Sequence, residues 1–347
     1  MWATRLGELM TIGKRVFIIA EAGVNHNGDI QTALKMIDAA SASGVDAIKF
    51  QTFNTECLVT KSAPQAKYQK TNCDGGDGGQ YTMLKKLELS EKDHQILFEH
   101  CNTCGIQFLS TAFDDKSIDL LLSFDLPIWK IPSGEITNLP YLQKIGRIGR
   151  KVILSTGMAN LGEIESAINA IVNAGTKHED ISLLHCTTEY PAPFEEINLQ
   201  AMNTLKTCFK LPVGYSDHTA GLDVPIAAVA MGAVIIEKHF TLDKTMEGPD
   251  HKASIEPQEL TSMVRSIRNI EMALGDGIKR STVSEIKNIE IARKSIVALV
   301  DICIGDMFTE HTITTKRPGN GISPMEWYSV LGMRAKRNFA KDELIEL

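Results

Sequence analysis

Short runs dense in apolar and β-branched residues recur along the chain, separated by stretches in which apolar positions return at helical spacing. The runs are Val16–Ala20, Ala47–Gln51, Ile106–Ser110, Ile128–Ile131, Val152–Ser155, Ile181–His185, Val213–Ser216 and Ala233–His239. No polar/apolar alternation survives in the middle of a run, so each predicts a strand buried on both faces. Thr32–Ser43 places Leu34, Met36, Ile37 and Ala40 at helical spacing, with Gly44 behind it as a C-terminal cap. Leu161–Ala174 carries Ile164, Ile168 and Ile171 on one stripe before Gly175, and Asp223–Met231 and Pro257–Leu274 follow the same plan. Strand–helix alternation means parallel strands joined by crossover helices. Eight such units predict a closed (β/α)8 TIM barrel over residues 1–278. An open doubly wound sheet should carry a glycine-rich phosphate fingerprint after its first strand, and the segment from Glu21 to Gly28 lacks one.

The pattern changes near Asp276. Residues 279–294 are polar and rich in Ser, Lys and Glu, which predicts an exposed linker helix. Residues 295–347 hold short segments, Ser295–Val300 and Ile302–Met307 among them, punctuated by Gly305, Pro318, Gly319, Gly321, Pro324 and Gly332. This is a small irregular β module, too small for comfortable independence and expected to lean on something else.

Composition narrows the classes. With 347 residues, 43% hydrophobic and 23% charged, the chain can bury a large core and is not of disordered type. A net charge of −7 argues against a general nucleic-acid or membrane-surface binder, while leaving room for a local basic pocket. The first fifteen residues form no signal-type apolar run, and no stretch is long enough to span a bilayer, so a cytoplasmic protein is expected. Seven cysteines are scattered along the chain, and Cys101/Cys104 form a single C-x-x-C with no second pair. That argues for reduced thiols over a structural zinc site. The Gly75–Gly79 stretch lacks the Lys-Ser/Thr of a phosphate loop and reads as a lid or spacer.

A barrel of this kind puts its chemistry at the carboxyl ends of its strands. Glu21, Asn25 and His26 follow the first run, and Lys49 and Gln51 lie in the second. Thr111 follows the third, and Lys130, Ser133 and Glu135 belong to the fourth. Ser155 closes the fifth. His185, Thr188 and Tyr190 follow the sixth, Ser216, Asp217 and His218 the seventh, and Glu237, His239 and Asp250 the eighth. Lysines in apolar strands are costly unless neutralised. Lys49 and Lys130 therefore either pair with a barrel carboxylate such as Glu21 or Glu135, or hold an anionic ligand with Thr111, Ser133, Ser155 and Ser216 around it. His218 and His239, at neighbouring strand tips, are either hydrogen-bonded scaffold or ligands of one divalent metal, with Asp217 and Glu237 as outer partners. His185 reads as core. Arg317 reads as an ordinary surface residue unless its module reaches a barrel mouth.

Taken in order, several segments resemble the sialic-acid synthases, the nonulosonate branch of phosphoenolpyruvate-condensing barrels. They are Ile19-Ala-Glu-Ala-Gly-Val-Asn-His-Asn-Gly28, Lys49-Phe-Gln-Thr52, Lys130-Ile-Pro-Ser-Gly-Glu135, Leu154-Ser-Thr-Gly-Met158, Gly214-Tyr-Ser-Asp-His-Thr219, Glu237-Lys-His-Phe240, Gly248-Pro-Asp250 and Lys316-Arg-Pro-Gly-Asn-Gly321. The resemblance implies an antifreeze-protein-like (SAF, β-clip) carboxyl-terminal domain and a domain-swapped homodimer. It implies that His218 and His239 bind a divalent metal, manganese first, with magnesium or cobalt as alternatives. Lys49, Lys130, Thr111, Ser133, Ser155, Thr188 and Ser216 would hold phosphoenolpyruvate. Glu21, Gln51, Tyr190 and Asp250 would contact the sugar, and Arg317 would do so from the partner subunit. Glu135, with Glu21, would serve the chemistry by positioning water or handling a proton. Many members carry Asn where this chain has Thr188.

The stretches Ser133–Pro140, His185–Pro193 and Leu242–Thr245 resemble bacterial legionaminic-acid synthases, which implies a 2,4-diacetamido-2,4,6-trideoxymannose as the sugar. The alternatives are an N-acetylneuraminate synthase using N-acetylmannosamine, a metal-dependent pyruvate aldolase, and a non-catalytic sugar-binding barrel.

Overall fold

Eight parallel strands build the larger part of the protein, as seen in a computed structural model that describes residues 15–66, 69–70 and 79–347. They are β1 (Phe17–Gly23), β2 (Ala47–Thr52), β3 (Gln107–Ala112), β4 (Ile128–Ile131), β5 (Lys151–Ser155), β6 (Ile181–His185), β7 (Val213–Asp217) and β8 (Ile235–His239). Hydrogen-bonded pairing runs β3-β2-β1-β8-β7-β6-β5-β4, and β3 and β4 adjoin where the two ends meet, giving a near-closed barrel. The expected (β/α)8 fold is present. The expectations for residues 1–14 and for Gly75–Gly78 fall outside the described residues.

Crossover helices follow the strands: α1 (Ile30–Ala42), α2 (Glu91–Cys104), α3 (Asp115–Leu122), α4 (Leu139–Ile148), α5 (Leu161–Ala174), α6 (Ala201–Phe209), α7 (Asp223–Ala230) and α8 (Pro257–Leu274). Their ends are written in the sequence. Asp29 caps α1 by accepting from the amides of Gln31 and Thr32. Ser90 with Asp93, and Asn160 with Glu163, close capping boxes on α2 and α5. Gly105 ends α2 in the left-handed conformation at φ 68°. Among the described residues no helix is long and apolar enough to cross a membrane.

The barrel interior changes character with height. Successive inward positions lie two residues apart on each strand. At the bottom, Phe17, Ile19, Ala47, Leu109, Ile128, Ile153, Leu184 and Ile235 pack into one apolar cluster. One inward position higher stand Glu21, Lys49, Thr111, Lys130, Ser155 and Glu237, all buried. An apolar floor thus closes the barrel beneath a charged layer. The outward faces, with Ile18, Ile48, Trp129, Leu154 and Ile236, pack on the helices as a second, larger core.

The chain divides into a unit spanning Met1–Gly275 and one spanning Asp276–Leu347. In the second, α9 (Val283–Ala292) precedes an antiparallel pair, β9 (Ser295–Ala298) and β10 (Ile313–Lys316). Its own core gathers Ile296, Ile302, Phe308, Ile313, Val330 and Phe339. No residue of α9 is buried.

Candidate active site

One cavity of about 310 Å³ opens at the carboxyl ends of the strands. Of the barrel residues that the resemblance assigns to the site, all but Glu135 line it. The Glu135 carboxylate instead accepts from Asn138 Nδ2 at 2.6 Å, at the start of α4. Arg317 lies in the second unit, where its Nε donates to the Ala292 carbonyl at 3.0 Å.

At the bottom of the cavity Lys49 Nζ is 2.7 Å from Glu21 Oε2, 3.6 Å from Glu237 Oε2 and 3.1 Å from Thr111 Oγ1. Lys130 Nζ donates to Ser155 Oγ at 2.7 Å and stands 3.6 Å from Glu237 Oε1. Ser216 Oγ donates to Glu237 Oε1 at 2.8 Å. The carboxylate shared by both lysines is therefore Glu237, not Glu135, because Ser216 and Glu237 pair across β7 and β8 and point inward together. Sequence reading had placed Glu237 behind the histidines. Its position two residues before His239 on one strand was the available signal, since it puts both on the inward face.

Burial sets the electrostatics. It pushes the Glu21 carboxyl up to about 7 despite Lys49, with Glu237 adding to the rise. Burial acts upward on Glu237 too, but Lys130 and Lys49 outweigh it and hold that carboxyl at about 2. Burial lowers Lys130, and Glu237 only partly offsets it. For Lys49 the attraction of Glu21 and Glu237 outweighs burial, and its ammonium is held above the usual range. Two ammonium groups thus face two carboxyls. With both carboxyls ionised their formal charges cancel, so an anionic ligand gains net attraction only if Glu21 takes up a proton or a cation joins the site.

His218 and His239 fit such a cation. His218 Nδ1 is 2.5 Å from the Thr187 carbonyl, which can only accept, so this nitrogen carries the proton and Nε2 keeps its lone pair. His239 Nδ1 is buried with no hydrogen-bond partner. The two rings lie 5.3 Å apart between centroids, and burial lowers the pKa of both, so both are neutral. Tyr190 packs at 4.2 Å against the His218 ring and edge-on at 5.4 Å to His239.

One expected outer partner, Asp217, is elsewhere. Asp217 faces away from the cavity, where Lys238 Nζ donates to it at 2.6 Å and to the Thr219 carbonyl. Both side chains are fully buried, and a pair of this kind costs ~3–5 kcal/mol to break from one side. It ties β7 to β8 behind the histidines. His26 is also away from the pair, its Nδ1 accepting from the Gly28 amide at 3.0 Å. His185 is half-buried and not core: Nε2 donates to the Ile197 carbonyl at 2.7 Å.

Ser133 Oγ accepts from the Gly157 amide at 3.0 Å, and the Thr188 hydroxyl is buried without a partner. A Cβ on Gly157 would stand 2.4 Å from Thr188 Oγ1 and 2.8 Å from Ser133 Oγ, so only glycine lets these hydroxyls converge. An unpaired buried hydroxyl at a cavity wall suits an incoming oxygen. Across the cavity the wall is apolar: Val24, Phe53, Met83 and Leu87 cluster there. The segment after β2 supplies three of them, and no strand-end pattern pointed to it.

Asp250 is buried at the cavity, and desolvation pushes its carboxyl up to about 6 from 3.8. A carboxyl whose pKa is raised on folding leaves stability intact below about 4 and removes it as pH climbs through about 6, by up to about 3 kcal/mol. Asp250→Asn, which mimics the neutral acid, is therefore expected to raise unfolding stability at pH 7.5 but not at pH 4. Urea titrations at the two pH values measure this, and an equal effect at both would refute the charge argument.

Comparison with known proteins places the chain. Residues 36–279 match the NeuB family model, and residues 293–346 match the SAF domain. An N,N'-diacetyllegionaminic acid synthase of Campylobacter jejuni is 57% identical over 96% of this chain and 99% of its own length. One from Legionella pneumophila is 48% identical over 93% of this chain and 91% of its own. The crystal structure of an N-acetylneuraminic acid (sialic acid) synthetase from Leptospira borgpetersenii, in complex with citrate, superposes with a TM-score of 0.69 at 37% identity, covering 80% of this chain and 90% of that one. With a barrel whose mouth gathers the lysines, hydroxyls and histidines just described, and an SAF domain following it in sequence, the chain belongs to the NeuB family.

Proposed function

We propose that the protein is a nonulosonic acid synthase. It condenses phosphoenolpyruvate with an N-acylated mannose-type aldose to give a nine-carbon 2-keto acid and phosphate. The observation that carries this reading is one cavity holding Lys49 and Lys130, a ring of hydroxyls and a histidine pair suited to a divalent cation. Relatives named for diacetyllegionaminic acid support it. The methylene carbon of phosphoenolpyruvate bonds to the aldehyde carbon, a water oxygen bonds to the carbon bearing phosphate, and that C–O bond breaks. Lys49, Lys130, Thr111, Ser155 and Ser216 hold the anion, with Ser133 and Thr188 at its edge. Glu21 is poised near neutrality to exchange a proton, and Glu135 would take part only after its carboxylate leaves Asn138. His218 and His239 would hold a divalent cation, manganese first, which would supply Lewis-acid polarisation of the aldehyde.

The sugar we favour is 2,4-diacetamido-2,4,6-trideoxymannose. Its C6 methyl and acetyl methyl groups suit the apolar wall of Val24, Phe53, Met83 and Leu87. Gln51, Tyr190 and Asp250 supply the polar contacts. Product mass spectrometry with phosphoenolpyruvate and this sugar or N-acetylmannosamine, side by side, tests the choice. Preference for the second would reverse it. Oxygen-18 at the phosphoenolpyruvate bridging position is expected in released phosphate, and label kept in the keto acid would rule out C–O cleavage. Pyruvate replacing phosphoenolpyruvate as substrate would instead make the protein an aldolase.

The working unit is a homodimer in which Arg317 of one subunit serves the barrel of the other. Exposed apolar residues in the second unit support it: Val283, Ile286 and Ile291 on α9, with Met325 and Tyr328. Mixing Arg317→Ala subunits with Lys130→Met subunits should restore part of the activity that each lacks alone, because one hybrid site is intact. Absence of rescue in a mixture shown to exchange subunits would sink the swap.

A further inference from the structure

Outside the barrel mouth, among the described residues, one group brings three different metal-ligating side chains to a point. Asp38 lies on α1, and His100 and Cys104 lie one turn apart on α2. His100 Nε2 is 2.7 Å from Asp38 Oδ1, and Cys104 Sγ is 3.4 Å from that oxygen and 3.5 Å from that nitrogen. None of the three lines the active-site cavity. We propose that Asp38, His100 and Cys104 form a binding site for a borderline-soft divalent cation such as Zn2+, clipping α1 to α2 on the outer face of the barrel, with water completing the coordination.

The geometry separates this reading from two others. In a Cys-His-Asp relay the carboxylate and the thiol approach opposite ring nitrogens, because the ring passes a proton between them. Here both approach the same nitrogen, as ligands do around a shared ion. A plain Asp–His hydrogen bond needs no third group; helix spacing brings the thiol beside the ring, and it also meets the Asp38 carboxylate at 3.4 Å. Tetrahedral zinc with bonds of about 2.0–2.3 Å puts neighbouring ligand atoms about 3.3–3.7 Å apart. The two sulfur separations already match, and the oxygen–nitrogen pair has only to open slightly as the ion replaces its proton.

The scaffold is set without the ion. His100 and Cys104 share a helix face at i and i+4. Met36, Ile37 and Ala40 of α1 and Leu97 and Cys101 of α2 are buried in the common core, and Ser41 Oγ donates to the Cys104 carbonyl at 3.0 Å. Burial and the neighbouring Asp38 carboxylate raise the Cys104 thiol, which argues against a reactive free thiolate there. Mixed sulfur, nitrogen and carboxylate donors select zinc-like ions over magnesium or calcium. The C-x-x-C pattern had hidden this, because Cys101 faces the core while Cys104 is completed by a residue one turn back and by another helix.

The site does not depend on the proposed reaction, and its test reads metal directly. Full-length protein is titrated with Co2+ and followed for a thiolate-to-cobalt charge-transfer band, and bound Zn2+ is counted by equilibrium dialysis. Wild type should show the band and bind one zinc equivalent more than Cys104→Ser. Cys104→Ser and His100→Gln should both lose the band while turnover and circular dichroism stay unchanged. Equal zinc stoichiometry in wild type and Cys104→Ser would overturn the proposal. So would a band that survives in His100→Gln, since the thiolate would then bind metal without this triad.

Discussion

His218→Ala is expected to abolish metal-dependent turnover, by at least about 10³-fold, with little change in fold. Several kcal/mol of transition-state stabilisation come from a Lewis-acidic cation at an aldehyde oxygen, and each 1.36 kcal/mol is tenfold in rate. The variant removes a neutral imidazole whose Nε2 lone pair faces Ser216 and whose partner, His239, keeps a buried nitrogen without a hydrogen bond. The structural loss is the hydrogen bond to the Thr187 carbonyl, net ~1 kcal/mol, together with the packing of the ring on Tyr190. The measurement is product formation from phosphoenolpyruvate and sugar with manganese added, alongside manganese binding by dialysis. Full activity in the variant would refute the metal assignment.

The two lysines should answer differently to the same change. Both Lys49→Met and Lys130→Met should lose tight binding of phosphoenolpyruvate and with it most of kcat/KM. In the ligand-free protein they diverge. Lys49 is held in its charged form by Glu21 and Glu237, so removing it leaves two buried carboxyls poorly compensated, at a cost of ~3–5 kcal/mol. Lys130 is penalised by burial more than its neighbours repay, and Glu237 keeps Lys49 and Ser216 when it goes. Its loss should therefore change unfolding stability little, or raise it. Chemical denaturation of both variants without ligand decides this, and equal destabilisation would contradict the charge assignment.

Much of this site was legible along the chain because a barrel turns linear order into spatial order. Each strand end brings its residues to one rim, so Lys49, Lys130, Ser155, Ser216, His218 and His239 could be listed together before any geometry was known. What escaped depends on direction and on distant segments. Asp217 and Glu237 both lie beside a histidine in sequence, but the strand period of two sends one behind the barrel wall and the other between the lysines. The support for His218 is the Thr187 carbonyl, a backbone atom that no motif displays. The apolar wall draws on Met83 and Leu87, from a helix in the long connection after β2. Glu135 sits in a segment that reads as catalytic, yet its carboxylate turns to Asn138, three residues on.

The apolar floor has a consequence for the order of events. With Phe17, Ile19, Leu109, Ile128, Ile153, Leu184 and Ile235 filling the lower barrel, the cavity is closed from below among the described residues. A molecule seated among Lys49 and Lys130 at its deep end has to enter before anything that occupies the mouth above it. In the proposed reaction, phosphate formed at that depth would leave after the longer product above it. Queueing is thus imposed by seven hydrocarbon side chains that never touch a substrate.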